Sequence, residues 1–378
     1  MASSWKEPKS LSTTAARERV YNFSAGPATL PLSVLKKAQE DLLCLPGAGA
    51  SILEISHRSK DFDAIIQGAE ANLRKLLNLP DHYRVLFLQG GASLQFSMVA
   101  MNFLDGGQAD YVLCGAWAKK AIGEAKKHGK VNVVWDGTAE KFTRMPRPEE
   151  LKPSGDARYL HITSNETIEG IEFHYDPAIT RVPLVCDASS DFLHRPVDIE
   201  KYALIYAGAQ KNIGPAGVTL VVVRDDFLKS KTTTPLPTML DYRIMADNQS
   251  LYNTPPCFSI YVVGLVAQWL LEEIGGLDKM HERNRRKAEL LYRAIDESGG
   301  FYRGHSAPDS RSLMNITFRM PSEELEKTFI KLADSQGFSG LKGHRAVGGL
   351  RASIYNAFEP SGVEALVEFM KEFQRKHG

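Results

Sequence analysis

Between residues 30 and 225 the chain repeats one pattern: short apolar runs without polar alternation, separated by stretches of helical periodicity. The runs occupy 85–88, 111–114, 131–135, 159–163, 183–186, 203–206 and 218–223. A strand with one wet face alternates apolar and polar side chains, whereas a strand apolar throughout must be covered on both faces. Interleaved with helical stretches such as 94–104 and 116–127, these runs predict an α/β fold whose large domain carries a mainly parallel seven-stranded sheet flanked by helices.

The last hundred residues change pattern. A charged helix is predicted at 279–297, ended by Gly299 and Gly300, then a strand at 315–319 and a helix at 322–335 stopped near Gly337. A strand at 350–354 and a closing helix at 361–376, started by a capping box from Ser361 to Glu364, complete an α+β pattern. The expected division is a large domain, 19–272, and a smaller C-terminal domain, 273–378. Residues 1–18 are rich in Ser, Thr and Ala and lack the apolar core of a secretory signal; with Glu7 and Glu18 they read as a flexible arm rather than an organellar transit peptide.

Charge and cysteine usage narrow the function classes. The formal net charge of the 378 residues is +1, so no bulk field points to nucleic acid or a membrane surface. No run is expected to reach the roughly 18 apolar residues of a membrane span. Cys44, Cys114, Cys186 and Cys257 show no CxxC spacing and three sit in or beside apolar runs, which argues for a reducing, cytoplasmic setting without disulfides or a zinc site. The ten histidines show no HExxH or other ligand spacing, so no metal is expected.

Several segments carry residue types suited to chemistry, each with an ordinary alternative. In ALIYAGAQKNIG (203–214) an apolar strand runs into small residues and then Lys211. A lysine desolvated there has a lowered pKa and is a competent amine nucleophile for a Schiff base; the alternative is a solvated loop lysine. VPLVCD (182–187) ends a buried-type strand in Asp187, placed either to pair with a protonated pyridine nitrogen or to cap a turn. VLFLQGGASLQF (85–96) is strand, Gly-Gly turn and helix, a phosphate cradle or a common turn, without the spacing of a dinucleotide site or a P-loop. Trp117 follows a strand and either stacks on a flat ring or fills the core. Thr167 either donates to a ring oxygen or caps a turn. Two His-Arg pairs, His57-Arg58 and His344-Arg345, and then Arg351, suit carboxylate or phosphate, or are surface features. Together they list an amine, an electron-sink carboxylate, a phosphate cradle, a stacking ring and anion clamps.

Over residues 20–378 the sequence resembles the phosphoserine aminotransferase family of class V, fold-type I pyridoxal-phosphate enzymes. The resemblance is carried by NFSAGPATLP (22–31), SHRS (56–59), QGGASLQF (89–96), DASSDF (187–192), AGAQKNIGPAG (207–217), YNTPP (252–256) and GHRAVGGLRASIYNA (343–357), in that order. It implies pyridoxal 5'-phosphate as cofactor, with Lys211 as Schiff-base lysine and proton carrier, Asp187 as partner of the pyridine nitrogen, Trp117 as the stacking ring and Thr167 as donor to the ring hydroxyl. It further implies that Ala92, Ser93 and Gln210 hold the cofactor phosphate. Asn253 and Thr254 would reach that phosphate from the other subunit of a homodimer. His57, Arg58, His344 and Arg345 are similar to the clamp for the substrate's distal phosphate or carboxylate, and Arg351 to the α-carboxylate ligand. The implied reaction exchanges an amino group between glutamate and 3-phosphohydroxypyruvate in serine biosynthesis; some members also serve the phosphorylated hydroxythreonine step of vitamin B6 synthesis.

Two positions depart from the pattern. Glu166 stands where the family often has asparagine, which puts an acid beside Thr167. Ser93 stands where some members carry a phosphate-binding arginine, so the His-Arg pairs must do more. Rivals are a serine–glyoxylate aminotransferase, disfavoured because a small uncharged tail needs no such clamp, and a cysteine desulfurase, which needs a reactive loop cysteine. A non-catalytic scaffold would not be expected to retain both Lys211 and Asp187, and a nucleotide-binding α/β protein lacks the glycine spacing.

Overall fold

The computed structural model describes residues 19–179, 181–230, 232–345 and 347–378. The arm expected at 1–18 lies outside the described residues. All seven expected strands form and share one sheet, in the order Tyr83–Leu88, Thr219–Arg224, Leu204–Gly208, Leu184–Asp187, Leu160–Thr163, Gln108–Leu113, Lys130–Asp136. Thr219–Arg224 runs antiparallel to both neighbours, and the other adjacent pairs are parallel.

The sheet divides its side chains between two cores, as period-two geometry requires. Val85, Phe87, Leu220 and Val222 face a cluster that includes Phe62, Ile66 and Leu73 of helix Lys60–Leu77 and Val262, Val263 and Val266 of helix Cys257–Trp269. Leu86, Leu88, Val221 and Val223 face the other side, against Phe96, Val99 and Phe103 of helix Gly91–Phe103 and Ile122 of helix Ala116–Ala125. Each large apolar side chain so buried stabilises the fold by roughly 1.5–3 kcal/mol. Two-sided cover explains why these strands carry no alternating polar face.

A third cluster gathers residues from Ala288 to Phe373 around strands Asn315–Arg319 and Leu350–Ser353 and helices Leu277–Asp296, Glu323–Ser335 and Pro360–His377. Phe23 belongs to this cluster, and Tyr21–Asn22 pairs in parallel with Phe338–Ser339, so the first described residues pack with the last hundred.

Two expectations need correction. The closing helix starts at Pro360 with Glu359 as its N-cap and no side-chain cap, so Ser361 lies inside the first turn and forms no capping box; proline's fixed φ suits the first helical position. Cys257–Ile274 is long and apolar enough to cross a membrane by length and composition, with mean hydropathy 1.5 over 18 residues. Its physical setting is a core helix. It packs on helix Lys60–Leu77 so closely that a Cβ at Gly264 would lie 3.2 Å from Ala69 Cβ.

Candidate active site

The loops that leave the carboxyl ends of the parallel strands converge, where open α/β sheets place their ligands. Leu184–Asp187 delivers Asp187, Leu204–Gly208 leads to Gln210 and Lys211, Gln108–Leu113 leads to Trp117, and Leu160–Thr163 leads to Thr167. Lys211 Nζ stands 4.7 Å from the centroid of the Trp117 ring. Trp117 Nε1 donates to Thr167 Oγ1 at 2.8 Å, which fixes the ring and leaves the threonine hydroxyl proton free to donate elsewhere.

Burial sets the proton affinities. Desolvation lowers the pKa of Lys211, with the charges of Asp187 and Glu166 opposing it. Desolvation raises that of Asp187, opposed by Lys211 and by the hydrogen bonds of Ser189. Asp187 Oδ1 accepts from Ser189 N at 2.9 Å and Ser189 Oγ at 2.6 Å, and Gly208 N donates to that hydroxyl at 3.1 Å. Among the described residues no donor meets Asp187 Oδ2.

The segment 22–31 closes over the lysine. Ala28 N donates to Gln210 O at 2.9 Å, Tyr355 Oη to Ala25 O at 2.7 Å, and a Cβ at Gly26 would lie 3.4 Å from Lys211 Cγ. A Cβ at Gly208 would lie 2.9 Å from Gln210 Oε1 and 3.5 Å from Ala92 N, so Gln210 and the start of helix Gly91–Phe103 share one corner. That helix has Gly90 as N-cap, no side-chain cap and no acid in its first turn. Gly90 sits at φ +87°, and a Cβ there would collide with the Leu94 side chain, so glycine is required. With no side-chain cap, the first-turn N–H groups of Gly91, Ala92 and Ser93 are left without a helical partner, an arrangement that suits an anion.

Arg351, on Leu350–Ser353 opposite Thr317, donates from Nη1 to Thr167 O at 3.1 Å, while its buried Nε has no partner. Desolvation lowers its pKa. With His344, Glu169 and Thr317 it lines a cavity of ≈ 100 Å³. His344 is pushed down by burial and by the positive charges of Arg351, Arg345 and Lys120.

The fold thus brings together Lys211, Asp187, Trp117, Thr167, Gln210, Ala92, Arg351 and His344. Arg58, Arg345, Ser93 and Thr254 are exposed. Among the described residues the side chains of Arg58, Asn253 and Thr254 form no hydrogen bond or ion pair with this group. His57 Nε2 and Asn253 Oδ1 are buried without a partner.

The sequence reading missed Lys120, whose Nζ lies 4.0 Å from the Trp117 centroid, and Glu169. A lysine three residues after the tryptophan, one turn along the same helix face, was the available signal. The fold also assembles Glu172, Asp191 and His194, whose ligand-type atoms lie within 4.8 Å of one another, from positions with no ligand spacing. Glu166, suspected of crowding Thr167, turns away: its carboxylate accepts from Trp117 N at 3.0 Å and Ala118 N at 2.8 Å.

Comparison with known proteins decides the family. The model of the family "Aminotransferase class-V" matches residues 20–366. The chain belongs to the class-V aminotransferases. It is 55% identical over 363 residues to the phosphoserine aminotransferase of Desulfosudis oleivorans, covering 96% of this chain and 99% of that protein. The structure of phosphoserine aminotransferase from Bacillus circulans subsp. alkalophilus superposes with TM-score 0.93 at 53% identity, covering 95% of this chain and 99% of that one. A pyridoxal-phosphate-bound phosphoserine aminotransferase from Trichomonas vaginalis matches at TM-score 0.88 and 40% identity, covering 93% of this chain and 100% of that one. In this class-V aminotransferase, the convergence of Lys211, Trp117 and Asp187 is therefore found in a fold shared with a solved holoenzyme.

Proposed function

We propose that this class-V aminotransferase is a phosphoserine aminotransferase, exchanging an amino group between glutamate and 3-phosphohydroxypyruvate to give phosphoserine and 2-oxoglutarate. One observation carries the reading: a desolvated lysine amine against an aromatic face, with a buried carboxylate beside it.

The residues present fit pyridoxal 5'-phosphate, the cofactor of this reaction. The uncapped helix terminus at Gly91 suits its phosphate with Ala92, Ser93 and Gln210, Asp187 Oδ2 suits a protonated ring nitrogen, Thr167 suits the ring hydroxyl and Trp117 covers a ring face. Bound there, the cofactor supplies a carbonyl carbon for the substrate amine and an electron sink for the α-carbon. Lys211 Nζ then takes the substrate's α-proton and returns it on the other side of the exchange; lowered proton affinity makes the free amine available for this. Arg351, partly desolvated and with Nε unpaired, suits the α-carboxylate. His57, Arg58, His344 and Arg345 are assigned to the clamp for the distal group, supported by His344 standing with Arg351 at one cavity, and a cationic clamp suits both the carboxylate of glutamate and the phosphate of its partner substrate.

Asn253 and Thr254 are assigned to the cofactor phosphate of a second subunit. The unpaired, buried Asn253 Oδ1 supports this, as do the exposed apolar side chains of Leu32, Leu35, Leu42, Leu43, Leu53 and Tyr252. A mixture of Lys211→Ala chains and Asn253→Ala/Thr254→Ala chains is expected to recover activity beyond either alone; no recovery would count against a shared site. The division near residue 272 into a large and a smaller domain belongs to the same reading and is supported by the C-terminal core, which also takes in Tyr21 and Phe23 from the start of the described chain. So does a cytoplasmic setting, supported by four free cysteines.

The test is a coupled assay with phosphoserine and 2-oxoglutarate, run beside serine and glyoxylate. Turnover of the phosphorylated pair is expected to dominate; preference for the uncharged pair would overturn the substrate assignment.

A further inference from the structure

Glu166 and Glu169 have no part in the chemistry just described, yet they lie at its centre. Both are buried, at 0% and 6% exposure. Both reach the first turn of helix Ala116–Ala125: a Cβ at Gly115 would lie 2.5 Å from Glu166 Cδ and 2.8 Å from Glu169 Oε2, so the two carboxyl groups crowd the same point. Their oxygens can be accounted for one by one. Glu169 Oε1 accepts from Ala116 N at 3.0 Å, Glu166 Oε2 from Trp117 N at 3.0 Å and Glu166 Oε1 from Ala118 N at 2.8 Å. Glu169 Oε2 is left buried with no donor.

Two ionised carboxylates in this position would place two desolvated charges side by side, and the fourth oxygen would stay unsatisfied. A single proton between the two groups removes one charge and satisfies that oxygen. We propose that Glu166 and Glu169 share one proton, and that the singly charged pair is a positioning device: it seals the helix terminus and so fixes Trp117 against Lys211.

The surroundings agree. Burial raises the proton affinity of both acids; the charge of Glu169 raises that of Glu166 further, while the Glu166 side chain, as a hydrogen-bond partner, lowers that of Glu169. The charged and titratable groups that face the pair are Cys114, Asp187, Lys211 and Arg351. One retained negative charge matches the partial positive charge of the helix N-terminus and favours the ammonium form of Lys211, which full neutralisation would not.

The functional consequence rests on the proposed roles of Trp117 and Lys211; the shared proton does not, so it is tested without cofactor. An infrared difference spectrum of cofactor-free wild type against Glu169→Gln at neutral pH reads protonated carboxyl groups directly. The glutamine carbonyl still accepts from Ala116 and its amide N–H replaces the shared proton, so the fold is retained. The expected result is loss of one carboxylic-acid C=O band in the variant; no loss overturns the shared proton. Trp117 fluorescence, isolated by subtracting Trp117→Phe, tests the positioning role. It is expected to shift in Glu169→Leu and to return towards wild type in Glu169→Gln. Equal spectra in all three proteins would overturn that role.

Discussion

Two helices begin next to each other at the carboxyl edge of the sheet, and they use the same dipole in opposite ways. Helix Gly91–Phe103 starts at a glycine, with no side-chain cap and no acid in its first turn. Helix Ala116–Ala125 has its first three N–H groups taken by two buried glutamates. An open terminus holds its place for an anion that comes from outside the chain. A sealed terminus holds its own residues still, and the residue held here is Trp117. The proposed cofactor site would thus have a receptive corner and a rigid wall, built from one kind of element.

The largest expected effect comes from Asp187, the charge that couples to both Lys211 and Glu166. Removing one partner of a buried charge pair costs about 3–5 kcal/mol of stability, so Asp187→Ala should lose about that much in denaturant unfolding and lose turnover with it. In Asp187→Asn the ammonium of Lys211 loses its main support, since that charge is the largest of those that oppose desolvation. The reactivity of the Lys211 amine towards a small aldehyde should therefore reach its plateau at lower pH than in wild type; a plateau moved to higher pH would contradict the assignment.

Ala92→Glu would turn the open terminus into a sealed one. Like charges brought together cost several kcal/mol, so cofactor affinity should fall roughly 10²-fold by spectroscopic titration, with the fold intact by circular dichroism. Unchanged affinity would mean that the phosphate binds elsewhere. Gly115→Ala tests the sealed terminus, because its Cβ would lie 2.5 Å from Glu166 Cδ. Overpacking of this kind costs about 1–3 kcal/mol, to be read from denaturant unfolding. The smallest effect is expected at Arg345, an exposed residue of the proposed distal clamp. Arg345→Ala should raise KM for the phosphorylated substrate several-fold, less so at high salt, because an exposed ion pair is worth about 0–1 kcal/mol.

The contrast between the two termini also marks what could be read from the sequence. The sheet was legible because strands covered on both faces carry unbroken apolar runs, and Lys211, Asp187 and Trp117 were legible because each follows such a run. The open terminus was written locally in Gly90 and Gly91. The sealed one was not, since Glu166 and Glu169 act on backbone groups 48 to 53 residues earlier in the chain. Phe23 joined the C-terminal core for the same reason: Tyr21–Asn22 is too short to show a period, and its pairing with Phe338–Ser339 is set by the fold. The expectation that no run reaches membrane length fails at Cys257–Ile274 because Glu272 and Glu273 interrupt the apolar run in sequence, whereas hydropathy averages over them.

Among the described residues two lysine amines approach the Trp117 ring, Lys120 at 4.0 Å and Lys211 at 4.7 Å, and only one can carry the cofactor. Lys211 is the desolvated one, beside Asp187. Borohydride reduction of the holoenzyme followed by peptide mass mapping decides between them. The reduced cofactor is expected on Lys211; label on Lys120, or on neither, would contradict that assignment.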